Sequence, residues 1–295
     1  MFIISFVLSG LLTHGVVPDD LARSTVIFIP KGKNVNFTDS SNYLGIALSS
    51  IFGKIFDLVV LSRYHDRLCF SDLQFGFKAK CSTNMCTVVL KEAIAYYVNN
   101  GSSVICTLLD ATKAFDLVEY VKMFKLLLDR KLPPVCIRLL VNMYTSQVTR
   151  VEWNGVCSDY FSVRNGVKQG GVIGPVLFCV YVDGLLKLLS DAKVGCYIGH
   201  VFVGVLAYAD DIVLLAPTAR AMFKLLSLCD EFASGFNVLF NAKKSKCLYI
   251  RPKEDNKSNC CLKPMFIIII IIIIIIIIII IIKLTIYIAP YAQTN

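Results

Sequence analysis

Histidine is scarce in this sequence, and the cysteines follow no paired spacing. The 295 residues include only three histidines, and none stands at zinc-ligand spacing from a cysteine pair, which argues against a structural zinc site. The twelve cysteines are scattered along the chain. We interpret them as mostly buried, reduced thiols of an intracellular protein, with disulfides as the alternative.

A positive charge is missing from the start of the chain. Residues 1–12 are apolar, but no Lys or Arg precedes the apolar run, whereas secretory signal peptides normally begin with a positive segment. A small-residue cleavage site near Ser9 and Gly10 keeps the secretory interpretation open. The favoured interpretation is a helix whose upstream partner is missing.

Acidic residues are outnumbered in this chain. There are 21 Asp and Glu against 30 Lys and Arg, which gives a formal charge of +9. A basic excess suits a protein that handles a polyanion such as nucleic acid, and a solvated basic surface is the alternative. The length allows one large domain or two small ones with a sizeable core.

The C-terminal part differs from the rest in composition. Residues 251–265 are predicted to be a linker, and residues 266–295 contain an unbroken isoleucine run from Ile267 to Ile282. A helix over this run would span roughly 24 Å, short of the roughly 30 Å hydrocarbon core of a bilayer. We therefore favour a translated simple repeat that replaced the natural C-terminus. A membrane anchor is the alternative.

The order of the predicted elements indicates an α+β fold. Hydrophobic periodicity and turn signals predict these elements. In chain order they are a strand over 21–30, a loop over 31–41, helices over 49–68 and 83–99, a strand over 104–109, helices over 115–130 and 134–147, a hairpin over 149–164, a helix over 175–189, a hairpin over 201–215, a helix over 218–234, and strands over 237–240 and 246–250.

Two apolar strands end on carboxylates. Asp110 closes the strand predicted over 104–109, and Asp210 and Asp211 stand at the tip of the later hairpin. A buried ionised carboxylate is costly without a cation or a donor, and adjacent carboxylates repel each other. A surface turn rich in Asp would explain the pair alone. Together the three could hold two Mg²⁺ or Mn²⁺ ions roughly 3.5–4 Å apart for in-line phosphoryl displacement.

Two further segments suggest contacts with a phosphate-bearing ligand. The glycines between Asn165 and Gly171 let the backbone approach a ligand closely, and Gln169 could form a hydrogen bond with it. An ordinary tight loop is the alternative. Lys31 follows the first predicted strand, where it could meet a triphosphate or simply be solvated.

Seven short motifs follow one another along the chain. They are Ile29-Pro30-Lys31, Tyr43-Leu44-Gly45-Ile46, Gln74-Phe75-Gly76-Phe77, Asp110-Ala111-Thr112-Lys113-Ala114-Phe115-Asp116, Gln169-Gly170 through Pro175-Val176-Leu177-Phe178, Tyr208-Ala209-Asp210-Asp211 and Asn241-Ala242-Lys243-Lys244-Ser245. In content and order they resemble the reverse transcriptases of non-LTR (LINE-type) retrotransposons over roughly residues 12–250. The resemblance implies a right-hand polymerase in a truncated copy, with a fingers-like region over 1–103, a palm over 104–250 formed by an antiparallel sheet flanked by helices, and a missing thumb.

The resemblance implies a metal site and an acid. Asp110 and Asp210 would bind two Mg²⁺ or Mn²⁺ ions, with Asp211 beside them and the carbonyl oxygen of Ala111 as a further ligand. Lys244 matches the late lysine that would protonate pyrophosphate.

The resemblance also implies residues that hold the incoming dNTP. Gln169 and Gly170 would contact the nucleotide, Lys31 would contact its triphosphate, and the ring of Phe115 would exclude a ribose 2′-hydroxyl. We predict that Asp116 caps the following helix instead of taking part in the chemistry.

The sequence departs from the resembled pattern at Leu44 and Cys81. Leu44 stands where an arginine would grip the triphosphate, and an apolar side chain cannot replace that contact. Three hypotheses follow. The first is an intracellular RNA-directed DNA polymerase (cytoplasm or nucleus) that takes an RNA template, a DNA primer and dNTPs, with no obligate protein partner evident. The second is a catalytically dead relic that retains the fold, and the third is a membrane-anchored protein.

Overall fold

The computed structural model describes residues 2–32 and 36–252. Most of the linker predicted over 251–265, and all of the isoleucine-rich tail predicted over 266–295, therefore lie outside the described residues. In the described ranges, no helix is both long enough and apolar enough to cross a membrane.

The helices match most of the predicted positions. In chain order they are α1 (Phe2–His14), α2 (Asp19–Ala22), α3 (Ile51–Arg63), α4 (His65–Leu68), α5 (Thr83–Asn99), α6 (Tyr120–Asp129), α7 (Pro134–Thr145), α8 (Gly174–Asp191) and α9 (Ala219–Phe236). Ser50, Ser82 and Thr218 stand at the N-caps of α3, α5 and α9, where each side-chain oxygen accepts a hydrogen bond from a backbone N–H of the first turn.

The strands are short, apart from the first two. In chain order they are β1 (Arg23–Pro30), β2 (Tyr43–Ser49), β3 (Val104–Leu109), β4 (Val148–Trp153), β5 (Val156–Cys157), β6 (Phe161–Ser162), β7 (Tyr197–Ile198), β8 (Val201–Phe202), β9 (Val205–Tyr208), β10 (Asp211–Ala216) and β11 (Lys246–Ile250). Helices and largely antiparallel strands occur together, so the predicted α+β class is confirmed.

Four local predictions are wrong. The helix predicted from Phe115 begins only at Tyr120, because the carbonyl oxygens of Phe115 and Val118 accept hydrogen bonds from the distant loop at residues 166–167. Asp116 therefore does not cap it, and the N-cap position belongs to Glu119. The strand predicted over 237–240 is reduced to a single bridge at residue 240, after the left-handed C-cap of α9. The helix predicted over 49–68 is divided in two at residue 64.

The chain forms two compact units whose segments alternate along the sequence. Among the described residues, the first unit comprises those up to Cys69 together with Phe115–Tyr181, and the second comprises Phe70–Ala114 together with those from Val182 onward.

The first unit is built on a mixed sheet in the order β2-β1-β4-β5, with β6 also paired to β4. β1 pairs with β2 antiparallel and with β4 parallel, and the buried hydroxyls of Ser24 and Thr149 are 2.7 Å apart where β1 and β4 adjoin. The helices α6 and α7 pack through aromatic rings, with Tyr144 making edge-on contacts to Tyr120 and Phe124.

The second unit is built on an antiparallel sheet in the order β11-β3-β10-β9. Its core contains the buried side chains of α5 and of the sheet, among them Leu90, Ile94, Cys106, Leu206 and Val213. β3 occupies an interior position, which explains why residues 104–109 form a nearly continuous apolar run.

The ten cysteines of the described residues are all free thiols, and six of them are buried. Burial raises the pKa of the Cys106, Cys196 and Cys229 thiols to about 12, so these side chains are neutral. They fill apolar space like small hydrophobic residues.

Candidate active-site residues in each unit

The central strands of the second unit bring the predicted carboxylates to one end of the sheet. β10 pairs antiparallel with β3, with Ile212 opposite Leu109. Extending this register by one residue places Asp211 opposite Asp110, and Cα atoms of directly opposed residues are about 4.5–5.5 Å apart. Asp110, Asp210 and Asp211 are all half-buried.

The turn that carries Asp210 is a two-residue hairpin loop. Tyr208 pairs with Asp211, so Ala209 and Asp210 form the connection between β9 and β10. Ala209 has a φ of 57°. A positive φ at the first loop position is typical of the type II′ hairpin turn, where glycine is usual. The alanine here is therefore in a conformation that a non-glycine residue adopts at a cost.

Asp110 is fixed by the loop that precedes β11. Its carbonyl oxygen accepts a hydrogen bond of 2.8 Å from the backbone nitrogen of Asn241, and its own nitrogen donates to the hydroxyl of Ser245 at 3.2 Å. The lysine motif predicted from the sequence thus lies beside Asp110. Lys244 is exposed in this loop, where its backbone nitrogen donates to the side-chain oxygen of Asn241.

The carbonyl group of Ala111 points toward the edge that faces β10. Ala111 forms an isolated bridge with Phe240, and the hydrogen bonds of that bridge belong to residues 110 and 112. Consecutive peptide groups of an extended chain point to opposite edges, so the carbonyl of Ala111 is directed away from Phe240. That direction suits its predicted part as a ligand beside Asp211.

These oxygen atoms suit an open metal site better than a closed one. Within the described ranges, no three His, Cys, Asp or Glu side chains are grouped to hold a metal ion by themselves. Mg²⁺ usually keeps several waters and takes one or two carboxylates together with substrate phosphates. Carboxylates on two opposed strand ends and a backbone carbonyl fit that pattern. Nearby, burial and the charge of Asp211 raise the pKa of the Cys86 thiol to about 12.

Sequence reasoning assigned no role to Gln74, which the structure places against the acidic turn. Gln74 is fully buried, and its side-chain amide forms hydrogen bonds with the backbone of Ala209. The motif around residues 74–77 was the available signal, since a polar side chain between two apolar neighbours needs partners when it is buried.

In the first unit, the predicted nucleotide loop lies on the edge of β2. The carbonyl oxygen of Gln169 accepts a hydrogen bond of 2.7 Å from the nitrogen of Ala47, and its side-chain nitrogen donates to Asp116 at 3.3 Å. Gly170 has a φ of 98°, and a Cβ atom there would lie 2.9 Å from Ile46. The loop therefore requires glycine at this position, and Asp116 contacts Gln169 instead of capping α6.

Phe115 is held from two directions in the same unit. Its ring stacks on Phe178 with a centroid distance of 4.6 Å and an angle of 19° between the planes. Its carbonyl oxygen accepts a hydrogen bond of 2.8 Å from the nitrogen of Val167. The aromatic ring is therefore fixed in orientation.

Lys31 and Leu44 lie at the same end of the first sheet. The side chain of Lys31 is exposed, and its backbone nitrogen donates to Asn42 just beyond the end of β1. Leu44 is directly opposite Ile29 in the β1–β2 pair.

A buried carboxylate that the sequence did not indicate lies next to the loop at residues 165–171. Asp57 on α3 is 9% exposed, and it accepts a hydrogen bond of 3.2 Å from the nitrogen of Ile173. Burial raises the pKa of Asp57 to about 6, although the N–H groups of Ile173 and Val172 and the charge of Lys168 oppose this rise. Burial also lowers the pKa of Lys168, and Asp57 partly offsets that effect.

Comparison with known proteins agrees with this arrangement. The chain is 26% identical over 256 residues to the Retrovirus-related Pol polyprotein from type-2 retrotransposable element R2DM of Drosophila melanogaster, covering 86% of this chain and 24% of the relative. It is 25% identical over 256 residues to the RNA-directed DNA polymerase from mobile element jockey of the same organism, covering 82% and 27%. The chain thus spans about a quarter of the length of these relatives.

Solved structures share the fold at low sequence identity. An apo telomerase from Candida tropicalis, truncated from its C-terminal domain, has a TM-score of 0.56 at 12% identity, and the match covers 83% of this chain and 52% of that one. Telomerase from Candida albicans has a TM-score of 0.55 at 9% identity, with 83% and 44% covered. The predicted fingers-and-palm fold class agrees with these neighbours.

The family model described as reverse transcriptase (RNA-dependent DNA polymerase) matches residues 29–261. This match covers well over half of the chain, and the relatives named above are retrotransposable or mobile elements. The resemblance to LINE-type enzymes is therefore confirmed, and the chain belongs to the reverse transcriptase (RNA-dependent DNA polymerase) family.

Proposed function

We propose that this chain is an RNA-directed DNA polymerase that joins a dNTP to the 3′-hydroxyl of a DNA primer on an RNA template. The observation that carries the proposal is the register of β3 and β10, because extending it by one residue from the Ile212–Leu109 pair puts Asp110 opposite Asp211, next to the Asp210 turn. The use of dNTPs and an RNA template implies an intracellular protein. The division into a fingers-like region over 1–103 and a palm over 104–250 is part of the proposal.

In this proposal the carboxylates of the second unit hold two divalent ions. Asp110, Asp210 and Asp211 supply hard oxygen ligands, and the carbonyl oxygen of Ala111 adds a neutral one. When bound, Mg²⁺ or Mn²⁺ would stabilise the charge that develops on the attacking and leaving oxygens. Lys244, exposed in the loop beside Asp110, donates the proton that the leaving pyrophosphate takes up.

The residues of the first unit select and hold the nucleotide. The ring of Phe115, fixed on Phe178, favours a sugar without a 2′-hydroxyl. The loop at Gln169 and Gly170 contacts the nucleotide, and Lys31 offers a cation to the triphosphate.

Primer extension with the full chain tests the proposal. We expect Mg²⁺-dependent incorporation of dNTPs on an RNA template and a loss of at least about 10³-fold in Asp210→Ala, since the metal ligands act on the transition state directly. Asp230→Ala removes an exposed carboxylate of α9 and serves as the matched control with unchanged activity. Equal activity in parent and Asp210→Ala would exclude the proposed site.

A second candidate function is a relic that binds nucleic acid without catalysis, and Leu44 is the observation that favours it. Leu44 lies in β2 opposite Ile29, and its side chain offers no donor to a phosphate. If the relic alternative holds, the parent gives no extension while Leu44→Arg gives some. Extension by the parent itself would reject the relic.

A further inference from the structure

The side chain of Gln74 forms three hydrogen bonds inside the second unit. Its oxygen accepts from the nitrogen of Ala209 at 2.8 Å and from the nitrogen of Gly76 at 2.9 Å. Its nitrogen donates to the carbonyl oxygen of Ala209 at 3.1 Å. One amide therefore binds both polar backbone groups of the residue that precedes Asp210.

The backbone around Gln74 is joined to the same hairpin. The nitrogen of Phe75 donates to the carbonyl of Ala207 at 2.8 Å, and the nitrogen of Ala207 donates to the carbonyl of Leu73 at 2.8 Å. The segment thus pairs in parallel with the outer edge of β9. A Cβ atom on Gly76 would overlap the backbone nitrogen of Ala209, so only glycine allows this close approach.

Ala209 needs outside support because its conformation is unfavourable. With a φ of 57°, Ala209 is in a conformation that L-amino acids other than glycine adopt only at a cost. Without partners, the buried N–H and C=O groups of Ala209 would cost more. The Gln74 amide satisfies both groups in this conformation and so restrains the backbone that leads into Asp210.

We propose that Gln74 is a positioning residue that holds the Ala209-Asp210 turn in the conformation that binds metal, an inference that rests on the proposed function. Gln74 itself touches neither substrate nor metal. Its role is to keep the carboxylates of the hairpin aligned with Asp110 before the ions bind, so that no rearrangement opposes metal binding.

The test compares Gln74→Leu with Gln147→Leu in the full chain. Gln147 is also buried, at 5% exposure, and its side-chain oxygen has no hydrogen-bond partner among the described residues, so the second substitution is a matched buried control. We expect Gln74→Leu to raise the Mg²⁺ concentration at half-maximal primer extension by about 10- to 100-fold, as loss of a residue that orients metal ligands does. We expect the KM of Gln74→Leu for template–primer to stay at the parental value. We also expect the Mg²⁺ dependence of Gln147→Leu to stay at the parental value.

A second substitution separates positioning from general stability. Glycine adopts a positive φ without the alanine penalty, so Ala209→Gly in the Gln74→Leu background is expected to restore part of the Mg²⁺ affinity. An unchanged Mg²⁺ dependence in Gln74→Leu would overturn the inference. So would equal losses in both glutamine variants, or a double variant that recovers nothing.

A readout without nucleic acid keeps this test separate from the proposed function. With added hydrogen peroxide as oxidant and ascorbate to regenerate Fe²⁺, Fe²⁺ bound at the carboxylates of the parent would produce hydroxyl radicals that cleave the backbone near residues 110 and 210, and Gln74→Leu would weaken both cuts. If the parent shows neither extension nor cleavage, the proposed function fails. Hydrogen exchange at the amide of Ala209 then tests separately whether Gln74 holds the turn. Protection that is lost in Gln74→Leu supports this role of Gln74, and equal protection in both chains overturns it.

Discussion

The two units hold their candidate residues by different kinds of contact. In the second unit, strand pairing, the Asn241 main chain, the Ser245 hydroxyl and the neutral amide of Gln74 position Asp110 and Ala209. In the first unit, the loop at Gln169 lies on β2, and the nearby nitrogen of Ile173 donates a hydrogen bond to the buried, ionisable side chain of Asp57. Neutral contacts do not respond to pH, whereas a buried carboxylate does. The contact of Asp57 with the loop that contains Gln169 is therefore expected to depend on pH, whereas the contacts of Gln74 and Gly76 with the Ala209-Asp210 turn depend on steric fit.

The largest expected effect comes from a substitution that disturbs the steric fit of the second unit. Gly76→Ala places a Cβ atom against the nitrogen of Ala209, so the turn must shift, and we expect primer extension to fall by about 10²-fold. Gly235→Ala is the matched control, because a Cβ there meets nothing within 4 Å at the end of α9. Primer extension at saturating substrate checks this difference. Activity in Gly76→Ala equal to that of the control would show that the turn tolerates displacement.

The next effect concerns pH and belongs to the first unit. The pKa of Asp57 is about 6 in the folded protein against 3.8 as its ordinary value. Its contribution to the unfolding free energy is therefore fully present below pH 3.8 and is lost as the pH rises through 6. Between pH 4.5 and 6.5 this loss amounts to about 2 kcal/mol.

Urea unfolding of parent and Asp57→Asn across that pH range measures the contribution. The Lys168 and Tyr144 side chains both interact electrostatically with Asp57. The Tyr144 hydroxyl stays neutral over this range because burial raises its pKa. Asp159→Asn, at an exposed position of the same unit, serves as the control. The same pH dependence in the parent and in Asp57→Asn would contradict the comparison between the units.

The smallest expected effect comes from a steric change in the first unit, which can be compared with the steric change in the second unit. Gly170→Ala combines a φ of 98° with a Cβ atom 2.9 Å from Ile46 and 3.0 Å from the carbonyl oxygen of Ala47. We expect the KM for dNTP to rise about tenfold, with a smaller change in kcat, as the loop moves off β2. Gly155→Ala has a comparable φ of 77° but open space around it, so it controls for backbone strain alone. Equal KM values in the two variants would assign the effect to strain and not to contact with β2.

Local patterns predicted much of the second unit. The strand at 104–109, the helix at 83–99 and the hairpin around Asp210 and Asp211 follow from an apolar run, a Ser N-cap and an acidic tip. The predictions failed where backbone groups form hydrogen bonds with segments that are distant in the sequence. Residues 115–118 do not begin the helix because Val167 and Gly166 donate to their carbonyls, and β2 was missed because its partner is β1 across a long loop.

The sequence by itself determined the fold class, the family motifs and the presence of carboxylates at the ends of two apolar strands. These features depend on periodicity and residue type, which are local. Only the tertiary structure decided the register that sets Asp211 opposite Asp110, the burial of Asp57 beside Lys168, and the contact of Gln74 with Ala209. Each of these joins residues that are far apart in the chain. Strand register and burial are properties of the packed whole and not of any one segment.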